Sequence, residues 1–188
     1  MLMPKRALII VDCQNDYFPG GACPLAGQVE AGKNIARLLE VVRDNDENVI
    51  HLQHMYKDKS EPYLVEGSPG VEINECAKPV DGEPVVVKNY MNGYKDTNLQ
   101  QILVEAGIDE IVMCGSMSQN CVNATARQTL DLGYPLTIIY DACATEDLEF
   151  NGVKVPADHV HTAMMASLRF AHSNVISTDE FLDTVNGA

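Results

Sequence analysis

Residues 7–12 read Ala-Leu-Ile-Ile-Val-Asp, a continuous apolar run rich in β-branched side chains that stops at an acid. A strand that is apolar at consecutive rather than alternate positions is buried on both faces, which is the condition of an inner strand in a parallel sheet. Its polar group then stands at the C-terminal end. Beyond a turn-rich Phe18-Pro-Gly-Gly-Ala-Cys-Pro segment, Val29 to Arg43 carries Ile35, Leu38, Leu39 and Val42 at helical spacing, so an amphipathic helix follows the first strand.

The same grammar recurs along the chain. Strands are expected over 48–54, 84–88, 109–115, 136–141 and 174–177, and helices over 98–106, 119–132 and 157–172, the first two closed by Gly107 and Gly133. Strands alternating with helices imply a three-layer, doubly wound (Rossmann-like) α/β fold. Its sheet has about six mostly parallel strands, covered by helices on both faces and joined by right-handed crossovers. The pattern breaks only between Tyr56 and Glu83, a stretch rich in Pro, Gly and charge, too long for a plain connection and read as an excursion over a site. With no repeat and no internal boundary, 1–188 reads as one domain.

Composition narrows the function. A formal net charge of −14, from 27 acidic against 13 basic residues, opposes binding to nucleic-acid phosphates and to anionic membranes. The N-terminal apolar run is too short for a signal peptide or a membrane span, which points to the cytoplasm. The six cysteines have no C-x-x-C spacing, so they are read as free thiols without a disulfide framework. No metal site is expected, because the one close histidine pair, His51 and His54, lacks a matching carboxylate or Cys cluster. A nucleotide- or flavin-binding module is disfavoured by the absence of a G-x-G-x-x-G turn after the first strand, and no cofactor is expected.

Ligands of open parallel sheets bind beyond the C-terminal strand ends. Three chemically distinctive groups fall there: Asp12 closes the first strand, Lys88 the third, and Cys121 lies just past the fourth at the start of a helix. Each also has a purely structural reading, as a turn-capping acid, a snorkelling amine and a small buried hydrophobe. Cys121 is distinguished by its place at a helix N-terminus, where unpaired N–H groups favour a thiolate. Cys13, Cys114 and Cys143 sit in or beside apolar strands, and Cys23 and Cys76 lie in loops without an evident activating partner.

The passage Cys114-Gly-Ser-Met-Ser-Gln-Asn-Cys121-Val resembles the signature of the isochorismatase-like cysteine hydrolases. So do Asp12-Cys-Gln14-Asn-Asp16-Tyr-Phe at the end of the first strand, Lys88-Asn-Tyr-Met-Asn92-Gly-Tyr94 after the third, and Asp141-Ala-Cys-Ala-Thr145 after the fifth. The resemblance runs from about residue 7 to about residue 182. It implies Cys121 as nucleophile, Asp12 as proton carrier and Lys88 as the cation that orients Asp12. It further implies a non-proline cis peptide at Ser116–Met117, with the N–H groups of Met117 and Cys121 as oxyanion donors.

The expected reaction is hydrolysis of the C–N bond of a small amide, carbamoyl or ureido compound through a thioester. Vinyl-ether cleavage is disfavoured, since family members that perform it lack the nucleophilic Cys. Nicotinamidase chemistry is disfavoured by the incomplete metal pattern around His51 and His54. Tyr17, Asn92, Tyr94 and Gln119 are the expected substrate-binding residues, although Asn92 and Tyr94 depart from the family's usual Ser and Phe. Association as a homo-oligomer, dimer or tetramer, also follows from the resemblance alone. The alternative is a catalytically silent scaffold or binding protein that keeps the fold.

Overall fold

The computed structural model describes residues 5–186; the N-terminal Met1–Pro4 lies outside them. Six strands, β1 (Arg6–Val11), β2 (Asn48–His54), β3 (Val85–Lys88), β4 (Glu110–Ser116), β5 (Leu136–Ala144) and β8 (Asn174–Ile176), form one sheet in the order β3-β2-β1-β4-β5-β8. Every pairing in it is parallel. The expectation from residues 7–11 is met: Ala7 to Val11 are buried, in the middle of the sheet. The chain builds outward from β1 to β3, then returns to lay β4 on the other side of β1. Strand order therefore reverses between β1 and β4, and the crevice beyond their C-terminal ends is where a ligand fits.

Helix α1 (Gln28–Asp44) connects β1 to β2, whereas α3 (Asn123–Asp131) and α4 (Ala157–Phe170) connect strands running the opposite way across the sheet. Right-handed crossovers put them on opposite faces. Helix α5 (Thr178–Asn186) packs with α1, and α3 with α4. The helical spacing in α1 has its expected cause, since Ile35, Leu38, Leu39 and Val42 are all buried against the sheet.

Several boundaries differ from the sequence expectation for local reasons. β5 continues past Asp141 to Ala144, with a register shift against β4 between Met113 and Gly115. Gly115 adopts φ +118°, and a Cβ there would lie 2.0 Å from the Val11 carbonyl oxygen. Only glycine lets β4 approach β1 this closely. Residues 148–155, without strand periodicity over a usable length, form a two-stranded antiparallel hairpin of β6 (Leu148–Phe150) and β7 (Val153–Val155). The expected helix over 119–132 begins instead as a π turn, Ser118–Val122, before α3. Helix α2 (Leu99–Glu105) buries Leu99 and Leu103 as the pattern requires.

The excursion between β2 and β3 is tied down rather than loose. The Asp16 carboxylate accepts the Leu64 N–H at 2.7 Å and the Ala22 N–H at 3.0 Å, stitching the turn after β1 to the excursion. Gly70 lies so close that a Cβ would stand 2.0 Å from Asp16 Oδ1. Near its end, Glu83 receives both arms of Arg43 (2.7 and 2.8 Å), His51 Nε2 (2.8 Å) and the Val80 N–H (3.1 Å). Burial pushes the Glu83 carboxyl up, yet these donors outweigh it and hold the group at about 2.

A carboxylate depressed on folding stabilises the native state above its unfolded pKa and loses that contribution as pH falls through the folded value. Glu83→Gln should therefore cost about 2 kcal/mol near neutral pH, as for a charged hydrogen bond. In urea titrations the gap from the unsubstituted protein should close between pH 4.5 and about 2. A gap independent of pH would show that the charge is not what matters.

Candidate active site

The site is built where the reversal of strand order brings different strand ends together. Asp12 follows β1 with φ 48°, the left-handed turn that a short polar side chain tolerates, while its N–H still bonds the Leu52 carbonyl. Lys88 closes β3, two strands away, and its long side chain spans the end of β2. Its Nζ lies 2.8 Å from Asp12 Oδ2, with both side chains 0% exposed. Among the described residues neither Asp12 oxygen has a hydrogen-bond partner. The contact is an ion pair whose carboxylate still has its lone pairs to offer.

Cys121, in the π turn leading into α3, completes the group. Its Sγ, a carboxylate oxygen of Asp12 and a ring nitrogen of His54 all lie within 4.8 Å of one another, and all three residues are buried. Cys121 Sγ also touches Met91 Sδ at 3.6 Å. The helix-start position suggested a depressed thiol pKa, but burial raises it first and the Asp12 charge adds to the rise, against a smaller opposing pull from Lys88. At neutral pH the resting group is a thiol beside a carboxylate, because desolvation penalises a thiolate more than the helix end rewards it. Lys88 is the converse: burial pulls its ammonium down, yet the neighbouring Asp12 charge outweighs this and keeps the pKa raised.

Three residues with both donor and acceptor capacity set the frame. The Gln14 carboxamide donates to the carbonyls of His54 (2.8 Å) and Val71 (2.6 Å) and accepts the His54 N–H at 2.9 Å, which pins the end of β2 to the excursion. The Gln119 carboxamide bonds Thr145 Oγ1 and approaches Met117 Sδ at 3.3 Å, so it braces the wall of the site. Ser118 Oγ donates to the Ala144 carbonyl at 3.2 Å and meets His161 Nδ1 at 2.9 Å. The Ser116–Met117 peptide is cis, and among the described residues the Met117 N–H meets no backbone acceptor.

Asp12, His54 and Cys121 carry donor atoms that could in principle hold a metal ion. The Lys88 ammonium stands in the way, 2.8 Å from Asp12 and 3.0 Å from His54 Nδ1. A second cation there would meet direct repulsion, so the donor set does not fit a metal. His51 is engaged with Glu83, and Asp58 with Ser60 at the surface; neither joins His54.

An isochorismatase domain model matches residues 6–180. The chain belongs to the isochorismatase family. An uncharacterised isochorismatase family protein of Bacillus subtilis is 39% identical, over 94% of this chain and 98% of its own. The crystal structure of an isochorismatase hydrolase from Oleispira antarctica superposes with a TM-score of 0.92 at 39% identity, covering 96% of this chain and 97% of the other. Maleamate amidohydrolase of Pseudomonas putida is 29% identical over 74% of this chain and 71% of its own. The protein is thus an isochorismatase-family hydrolase with the family's six-stranded parallel sheet.

Within this isochorismatase-family site, the expected recognition residues separate. Tyr17 is buried near Asp12: burial raises its phenol first and the Asp12 charge adds to the rise, and its ring lies 6.1 Å from that of Tyr63. Asn92 and Tyr94 face α3 instead. Asn92 Oδ1 accepts the Tyr94 N–H at 2.9 Å and its Nδ2 approaches Gln128, while the Tyr94 hydroxyl bonds Thr129 Oγ1 at 2.9 Å.

From the same loop it is Met91 that touches Cys121, and the Tyr90 carbonyl that takes a Lys88 hydrogen bond at 3.2 Å. Sequence reasoning missed these, and also missed Tyr56 and Tyr63, whose rings lie 5.9 Å apart in the wall containing Tyr17. Cys76, read as a loop thiol without a partner, lies 3.7 Å from Cys13 Sγ. The only signal available for the wall was the clustering of tyrosines at 56 and 63 inside an otherwise polar excursion.

Lys88→Met should cost about 3–5 kcal/mol in chemical denaturation, because it leaves the Asp12 charge buried and unpaired. Adding Asp12→Asn should recover most of that loss. A double variant no more stable than the single would mean that the pair is not a coupled buried unit.

Proposed function

We propose that this isochorismatase-family protein is a cysteine-dependent hydrolase that cleaves the C–N bond of a small amide, carbamoyl or ureido compound through a thioester. The observation that carries the reading is the buried Asp12–Lys88 pair with the Cys121 thiol within 4.8 Å of the carboxylate. A carboxylate held by an ammonium but free of hydrogen bonds is suited to receive the thiol proton as Sγ attacks. The relative named maleamate amidohydrolase supports an amide-type substrate.

In the first half-reaction the Cys121 proton passes to Asp12 and an S–C bond forms at the carbonyl carbon. The tetrahedral adduct then collapses, the C–N bond breaks, and the Asp12 proton leaves on the nitrogen. Water next attacks the thioester while Asp12 takes one of its protons, and the C–S bond breaks with that proton returned to sulfur. Lys88 offsets the negative charge shared between Asp12 and Cys121 in both halves. The N–H groups of Met117 and Cys121 are the oxyanion donors in this scheme, and loss of one such donor typically costs about 3–4 kcal/mol. Tyr17 forms part of the substrate wall with Tyr56 and Tyr63, and Gln119 supports it.

Incubation with a panel of small amides, ureas and carbamoyl compounds, read by ammonia or amine release and intact mass, tests the scheme. Cys121→Ala should abolish release and the acyl adduct, and Asp12→Asn should lower turnover by about 10²–10⁴-fold, the usual worth of a general acid–base group. Turnover that survives in Cys121→Ala would overturn the thioester route.

We also infer association with further copies of the same chain. Phe150 and Val153 of the β6–β7 hairpin and Phe170 at the end of α4 are 77%, 64% and 89% exposed, apolar area that a second copy would cover. Light scattering should return a mass of at least twice 20.6 kDa. A monomer across the micromolar range removes this part of the reading.

A further inference from the structure

We infer that His54 is a positioning residue of the site, a neutral acceptor that aims the Lys88 ammonium at Asp12 and Cys121. The inference rests on the cysteine-hydrolase reading above. An ammonium carries three N–H donors in a fixed tetrahedral arrangement, and at Lys88 one counter-ion and two hydrogen-bond acceptors surround it. These are Asp12 Oδ2 at 2.8 Å, His54 Nδ1 at 3.0 Å and the Tyr90 carbonyl at 3.2 Å. A buried cation needs its donors satisfied, and two of these partners are set by other demands: Asp12 by the chemistry and Tyr90 by the backbone. The imidazole of His54 is the remaining one.

The placement of His54 is enforced from several directions. It is the register partner of Lys88 between β2 and β3, so the two side chains start side by side, with His54 between Lys88 and the β1 end. Its backbone N–H and carbonyl are both clamped by Gln14. Its ring meets Tyr56 edge-on, with centroids 4.4 Å apart. Accepting from Lys88 at Nδ1 puts the ring proton on Nε2, a tautomer that the neighbouring ammonium itself selects. Burial, and then the Lys88 charge, hold the imidazolium pKa down to about 4, so the ring is neutral at physiological pH.

Neutrality is what suits the role. A carboxylate in this position would compete with Asp12 for the ammonium and raise the thiol pKa further. An apolar residue would leave one Lys88 donor unsatisfied and free the ammonium to turn away. A neutral ring acceptor fixes direction and leaves the full positive charge to the reacting pair.

Two substitutions separate this role from packing. His54→Asn keeps an acceptor oxygen at about the reach of Nδ1 but discards the ring; His54→Phe keeps the ring against Tyr56 but discards the acceptor. The readout is the rate of Cys121 alkylation by iodoacetamide at fixed, mildly alkaline pH, resolved by peptide mass mapping, with turnover on any amide found active. The circular-dichroism melting curve of each variant reports folding.

His54→Phe should slow Cys121 alkylation about tenfold, the equivalent of a rise of one unit in thiol pKa. It should lower kcat up to about 10²-fold with KM little changed, as a misplaced catalytic group does. His54→Asn should stay within about threefold of the unsubstituted protein on this same scale. A folded His54→Phe variant with unchanged alkylation and turnover overturns the proposal, as does a folded His54→Asn variant as slow as His54→Phe. If Cys121→Ala leaves turnover of an active amide unchanged, the nucleophile reading itself has failed, a result distinct from either.

Discussion

The ion pair between Asp12 and Lys88 constrains most of what surrounds it. Two opposite charges without solvent contact are stable only if the fold supplies what water would have supplied. The supply comes from three strand ends and one loop: Asp12 from β1, His54 from β2, Lys88 from β3, and the Tyr90 carbonyl beyond it. The parallel order β3-β2-β1-β4 is what makes those ends adjacent. Moving any one of these strands by a residue would reverse the face on which its side chain lies and strand a charge in the core.

That constraint also explains the apparently excessive fastening of the excursion between β2 and β3. Gln14 and Asp16, two and four residues beyond Asp12, spend their side chains wholly on backbone groups of other segments, at His54, Leu64, Val71 and Ala22. Neither is placed to react. They fasten the excursion beside a buried site, and a buried site is where a carboxylate, an ammonium and a thiol influence one another strongly. The same burial pushes the Cys121 thiol pKa up, with the Asp12 charge adding to the rise.

Much of the fold was legible because its signals are local. Five apolar residues before Asp12 announced an inner parallel strand, and the spacing of Ile35, Leu38, Leu39 and Val42 announced the helix beside it. Where the sequence was ambiguous, the outcome depended on distant contacts. The start of the helix after β4 became a π turn, and β5 overran Asp141 with a register shift against β4. The hairpin of residues 148–155 is too short for periodicity to register.

The sequence by itself determined that an acid, an amine and a thiol would stand at strand ends on one edge of a parallel sheet, because strand polarity and order of occurrence follow from hydrophobic pattern alone. It could not determine their company. That His54 lies beside Lys88 is a matter of register between β2 and β3. That Met91 and Tyr90, not Asn92 and Tyr94, meet Cys121 and Lys88 depends on how one loop packs against α3. The protonation of the thiol likewise depends on burial. Register, packing and burial are properties of segments far apart in the chain brought together, and only the tertiary structure decides them.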